Sequence, residues 1–311
     1  MSNIAATTPE TMIPKRSWIQ MRLSTREAMA AYIFLAPFVI FFLVFVVRAV
    51  VQAINMSFYD WAILKPNHPY VGLKNYQELF SDYVWWDAVK HTIIFTMLTV
   101  LGTTVIALLS AVAVTQPVKG NGFFRVLLYM PQLLSVGVVG LTWAWLLQSQ
   151  FGVINYLLSF LGIRPVIWLG DENLVIPALS LTTIWWTSGF PMLIFIAGLQ
   201  GIPDQLYEAA RIDGASGRQV FFYITLPLLR PTLLFVGVTG VIAHFQVYGQ
   251  TAIMTTGGPG RASYTIIYYL YQQAWVAFRM GYGAAVGVSL AVIMAMFTAV
   301  QFKFLGQRVD Y

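Results

Sequence analysis

Six apolar runs, at residues 30–51, 92–114, 126–147, 174–199, 232–254 and 282–302, constrain this chain more than any other feature. Each is about as long as the ~20 residues an α-helix needs to cross the hydrocarbon core of a bilayer. Only Arg48 brings a charge into them. Soluble domains are roughly a quarter charged residues; this chain of 311 has 10%. Backbone groups in lipid must be paired, and a helix pairs its own. The expected fold is therefore all-α and integral to a membrane, with six transmembrane helices.

Charge sets the orientation. With residues 1–29 as a basic cytoplasmic tail, the inside segments hold Lys15, Arg16, Arg22, Arg26, Lys119, Arg125, Arg211, Arg218, Arg230, Lys303 and Arg308. Outside lie Arg48, Lys65, Lys74, Lys90, Arg164, Arg261 and Arg279. The excess inside places both termini in the cytoplasm, the second as a short tail at 306–311. The net charge of +6 is thus spread by sidedness and gives no reason to expect nucleic acid. The first run is too long for a signal-peptide core and reads as an uncleaved anchor, kinked at Pro37.

The exterior segment 52–91 carries Phe58, Tyr59, Trp61, Tyr70, Tyr76, Trp85 and Trp86. Tyr and Trp favour the headgroup layer, so short interfacial helices are expected there. In the second span, Gly102, Thr103, Thr104 and Ser110 suit close helix packing. In the fourth, Trp185, Trp186, Thr187, Gly189 and Pro191 cluster near mid-span, and Pro191 predicts a kink. That cluster either lines a translocation path or packs helices. The fifth span is the most polar. A continuous helix puts His244, Tyr248 and Thr251 on one stripe and Gln246 with Gln250 on another, nearly opposite. One stripe faces the path and the other its neighbours; periodicity does not choose.

Several chemistries are missing. There is no phosphate loop of the G-x-x-x-x-G-K-[ST] type. No spacing suggests a metal site, and without cysteine there is no thiolate ligand. The spans carry no Asp, Glu or Lys, the groups that ion-coupled carriers use. No catalytic role is expected.

Between the fourth and fifth spans, residues 200–231 form a polar loop. Asp204 is placed to cap a first helix through Glu208, Ala209, Ala210 and Ile212. Gly214 ends it in the left-handed conformation that glycine adopts without strain. Ser216 and Gln219 read as a capping box for a second helix. Pro227 and Pro231 precede the next apolar run.

Glu208-Ala209-Ala210, Gly214, Ile224 and Leu226-Pro227, within IPDQLYEAARIDGA and ITLPLLRP, resemble the EAA loop of ABC importer permeases, the carbohydrate-uptake branch in particular. VGLKNYQELF at 71–80 and the outer signature Thr255-Thr256-Gly257-Gly258-Pro259 with Thr265 agree. The resemblance covers most of residues 30–305. It implies the type I ABC importer transmembrane-domain fold, as a multi-pass protein of the bacterial inner membrane. It also implies that Glu208, Ala209, Ala210, Asp213, Gly214, Leu226 and Pro227 couple to two copies of an ABC ATPase, which bind the ATP and Mg that this chain does not. Further partners implied are a second permease, different from this chain, an extracellular solute-binding protein and the lipid membrane.

In maltose-type relatives the sugar contacts come from the helices flanking the EAA loop. Gly240, Ala243 and His244 fall on such positions, whereas Gly249 stands where many members carry Asp. The function implied is import of a sugar or sugar-like solute. The rivals are an ABC permease for a non-sugar solute, a secondary carrier and a non-transporting scaffold.

Overall fold

The structure, a computed structural model, describes residues 18–64, 66–116 and 119–305. Residues 1–17 and 306–311 of the expected tails, and Lys65, Pro117 and Val118, lie outside the described residues.

The chain divides into two units at Gln52. The first comprises α1 (Trp18–Phe41), a π-helical stretch (Phe42–Val47) and the start of α2 (Arg48–Met56). Helix continues unbroken through Pro37, and the apolar side chains from Tyr32 to Val51 are exposed.

The second unit is built around one long helix. After a short helix, α3 (Lys74–Ser81), comes α4 (Tyr83–Thr115), 33 residues or about 50 Å at 1.5 Å per residue. It begins nine residues before the apolar run because Asp82 caps it, accepting from Val84 N at 2.8 Å. Early initiation corrects one expectation. Trp85 is not an exposed belt residue; with Ala88, Val89 and Thr92 it falls on the inner stripe of α4 and is buried. Trp86, one residue on, is exposed and donates to Phe80 O at 2.9 Å. The other face of α4 shows Leu98, Leu101, Val105 and Leu109 outward. In lipid such a helix is held by close packing rather than by hydrophobic burial.

The third, fourth and fifth runs are each broken. The third is α5 (Asn121–Tyr129), a 3₁₀ turn (Met130–Leu133) and α6 (Val136–Leu146), bent by 97°. The expectation of one helix over 126–147 is corrected here. Pro131 enters the 3₁₀ turn, Leu134 is extended, and Ser135 caps a new start. In the loop that follows, α7 (Val153–Ser159) is tied down by Asn155, whose amide reaches Ser149 O, Val166 and the Trp168 indole.

The fourth run is α8 (Val175–Thr187) and α9 (Gly189–Gln200), bent by 52°. The break lies one turn before Pro191, where proline leaves the Thr187 carbonyl without its amide. Gly102 of α4 meets α8 closely: a Cβ there would sit 2.4 Å from Ile184 Cδ1.

The polar loop follows as α10 (Asp204–Ile212) and α11 (Gly217–Leu228), with a π-helical stretch inside α11. A 65° bend at Leu229 leads into α12 (Arg230–Phe245). Here a third expectation fails: the fifth helix ends at Phe245, not Met254, and helical turns resume only at Gly249. The chain continues through α13 (Ile266–Tyr271) to α14 (Met280–Leu305).

Three buried clusters are strung along α4. Trp85 and Val89 sit with Tyr269, Tyr282 and Phe245 at one end. Phe95 packs with Leu147, Leu179 and Val247. Ala107, Ala111 and Val114 meet Phe195, Ile202 and Leu229 at the other end.

Candidate functional site

Two regions gather the residues that the sequence singles out. The first is the α10–α11 hairpin. Asp204 is the first residue of α10 rather than its cap, Pro203 holding that place, so its carboxylate lies in the first turn, where the helix dipole favours negative charge. Gly214 has φ +74°, and the chain around it forms a complete Schellman motif. Gly214 N donates to Arg211 O at 3.1 Å and Ala215 N to Ala210 O at 2.9 Å. The capping box forms: Gln219 Oε1 accepts from Ser216 N at 2.8 Å, and Ser216 Oγ accepts from Gln219 N at 3.4 Å. Two short helices thus leave one another at an angle fixed by backbone bonds.

On α10 the inner face is Tyr207 and Ala210. Tyr207 Oη meets Thr225 Oγ1 of α11 at 3.3 Å, and Ala210 is buried. Of the two alanines expected to permit close approach, Ala209 is exposed while Ala210 is turned inward. Glu208 and Asp213 are also exposed, and Ile212, on the outer face, is 87% exposed. Inward, Ile202 and Leu229 anchor both legs of the hairpin in the cluster around Ala107 and Phe195. Leu226 and Pro227 are half-buried behind them. A cavity of about 610 Å³ lies between α10, α11 and the ends of α4 and α9.

The second region is a cavity of about 220 Å³ further along α4. Gly240, Ala243 and His244 of α12 line it with Thr187, Phe190 and Pro191 from the α8–α9 break. Thr103 and Thr104 of α4 and Gln132 of the 3₁₀ turn complete the polar wall. His244 is buried and meets Phe95 edge-on, with ring centroids 6.3 Å apart.

The other predicted path residues lie elsewhere. Because α12 stops at Phe245, the two stripes drawn on a continuous helix do not exist. Gln246 is exposed and turns back onto Ile242 O at 3.1 Å. Tyr248 packs on the rings of Tyr268 and Tyr271. Gln250 is buried against Thr183, and Thr251 is buried. Trp185 and Gly189 border a separate apolar groove of about 440 Å³. Trp186 Nε1 donates to Leu134 O at 3.1 Å, tying α8 to the broken third run. Gly189, at the start of α9, lets α5 approach closely as well, since a Cβ would lie 2.8 Å from Tyr129 Cα.

Gly249 is explained the same way: a Cβ would come within 2.5 Å of Val136 Cγ2, so no aspartate fits there. The Thr255–Thr265 loop closes on itself. Thr255 Oγ1 meets Ser263 Oγ at 2.8 Å, and Thr265 Oγ1 donates to Val247 O at 2.9 Å, across the break in the fifth run.

Sequence reasoning missed Asp82 and Gln132. Asp82 caps α4 and also accepts from the phenols of Tyr269 and Tyr282. Burial first, then the bond to Asp82, raises the Tyr269 phenol, so it remains a donor. Gln132 was findable: Pro131 inside an apolar run signals a break, and backbone breaks at membrane depth border protein or water.

Residues 103–311 match the family described as binding-protein-dependent transport system inner membrane component. The chain is 35% identical over 283 residues to an sn-glycerol-3-phosphate transport system permease protein of Agrobacterium fabrum, covering 90% of this chain and 96% of that one. It is 33% identical over 282 residues to a trehalose/maltose transport system permease protein of Thermococcus litoralis, covering 91% and 95%. In structure it is similar to a chain of a bacterial ABC transporter involved in the import of the acidic polysaccharide alginate. The TM-score is 0.79 at 22% identity, over 94% of this chain and all of the other.

Proposed function

The chain belongs to the family of binding-protein-dependent transport system inner membrane components, and from that membership we propose that it forms half of the path of an ATP-driven sugar importer. Its relatives' substrates, glycerol 3-phosphate and trehalose or maltose, support a sugar or sugar-like solute. The chain is the transport subunit and leaves ATP hydrolysis to a partner.

The observation that carries this reading is the α10–α11 hairpin, a rigid elbow with an exposed outer face and an inner face locked to the bundle. An ATPase seated on Glu208, Ala209 and Ile212 would move α10 as a body. Ile202 and Leu229 would pass that motion to α4 and α9. The partners are two ATPase copies, a second and different permease, and a solute-binding protein at the outer face. His244, Gly240, Ala243 and Thr187 border the solute on its way through.

Affinity purification of the tagged chain from its native membrane tests this. An ATPase and a second permease should accompany it, and the assembly should accumulate a sugar in an ATP-dependent manner. A chain that comes out alone and transports without ATP would overturn the reading in favour of a secondary carrier.

A further inference from the structure

We propose that Thr103 and Gln132 form a specificity wall in the cavity beside His244, selecting an uncharged hydroxyl-bearing solute over a phosphorylated one. The inference rests on the importer reading and sharpens it.

Thr103 Oγ1 and Gln132 Oε1 are both buried without a hydrogen-bond partner. The large majority of buried polar side-chain atoms have one, so an unpaired pair on one cavity wall marks where a partner is due. Two other threonines on the wall already use their protons: Thr187 Oγ1 donates to Thr183 O at 2.7 Å and Thr239 Oγ1 to Phe235 O at 2.7 Å, whereas Thr104 is only half-buried. Thr103 and Gln132 come from different elements, α4 and the 3₁₀ turn, and the break at Pro131 is what brings the amide to the cavity. Both oxygens are sealed in this conformation and meet a solute only when the path opens.

The chemistry of the wall is neutral. No Asp, Glu, Lys or Arg is among the cavity's described lining residues. A phosphate drawn in from water would lose its hydration and find no cation, which is costly in a low-dielectric site. A hydroxyl group both donates and accepts, which suits an amide oxygen that needs a donor and a threonine that takes either role. At about 220 Å³ the cavity is smaller than the ~300–1,000 Å³ of drug-sized ligand sites.

The test offers cells a defined mixture of neutral sugars, polyols and their phosphates. Depletion is compared between the wild-type strain and one lacking this chain, with uptake divided by the membrane level of the tagged complex. The expected result is depletion of a neutral solute. Thr103→Val and Gln132→Leu should each reduce that uptake about five- to tenfold, the effect of one lost hydrogen bond, and Thr103→Ser should restore it. Depletion of a phosphorylated solute in place of the neutral ones would overturn the inference while leaving an importer standing. Unchanged neutral uptake in both variants would overturn the assigned wall. No difference between wild-type and deletion strains would overturn the importer reading and this inference with it.

Discussion

Gln250 Nε2 donates to Thr183 Oγ1 at 3.2 Å, and both side chains are buried. This bond fastens the resumed turn of the fifth run to α8, just beyond the break at Phe245. The asymmetry of buried pairs gives a prediction. Thr183→Val leaves the Gln250 amide without an acceptor and should cost about 1–3 kcal/mol, whereas removing both partners is nearly neutral. In thermal unfolding of the purified protein, Thr183→Val should lower the midpoint more than the Thr183→Val/Gln250→Leu double variant. Equal losses would show that the pair is not coupled.

Gly214 is needed for its backbone alone, since a Cβ there would meet nothing within 4 Å. Gly214→Asn, which tolerates the left-handed conformation, should keep most transport-coupled ATP hydrolysis. Gly214→Val should strain the elbow by about 1–2 kcal/mol and lose most of it. ATPase rates of the purified assembly decide; equal rates in both variants would remove the elbow from the coupling path.

Gly249→Ala should destabilise the protein, because the new methyl meets Val136 Cγ2 at 2.5 Å. Val136→Ala opens that contact and should recover most of the loss, again read from the unfolding midpoint. A first variant as stable as wild type would contradict the close approach of α6.

Asp82→Ala removes the cap of α4 and the acceptor of two phenols at once. A lost cap alone costs about 1 kcal/mol, and buried phenols without their acceptor add to it. The nearby Arg279–Glu78 pair, at 2.6 Å but with side chains 42% and 44% exposed, should matter far less: Glu78→Gln is expected within about 1 kcal/mol of wild type.

How much of this was legible in the residues differs by element. The hairpin was, because its signals are local: a glycine at a C-cap and a serine with a glutamine three residues on act through the backbone beside them. The six apolar runs were, because their length alone carries the information. Trp85 was misplaced because one residue, Asp82, starts a helix before hydropathy rises. The polar stripes of the fifth run failed because periodicity assumes a helix that does not stop. What stops it is tertiary, with Thr265 bonded to Val247 and Gly249 pressed on Val136. The cavity itself joins α4, a 3₁₀ turn, the α8–α9 break and α12, and no single segment reveals that meeting.

If the exposed face of α10 seats an ATPase, a single cysteine placed there should reach it, and the chain has no cysteine of its own. In Ile212→Cys the introduced thiol is the only one in the chain. With a short bifunctional thiol-to-amine reagent in native membranes, it should capture an ATPase subunit. Trp61→Cys, in the exterior segment, should not. ATPase captured from residue 212 alone is the predicted result; no capture there, or equal capture from both positions, would contradict the account.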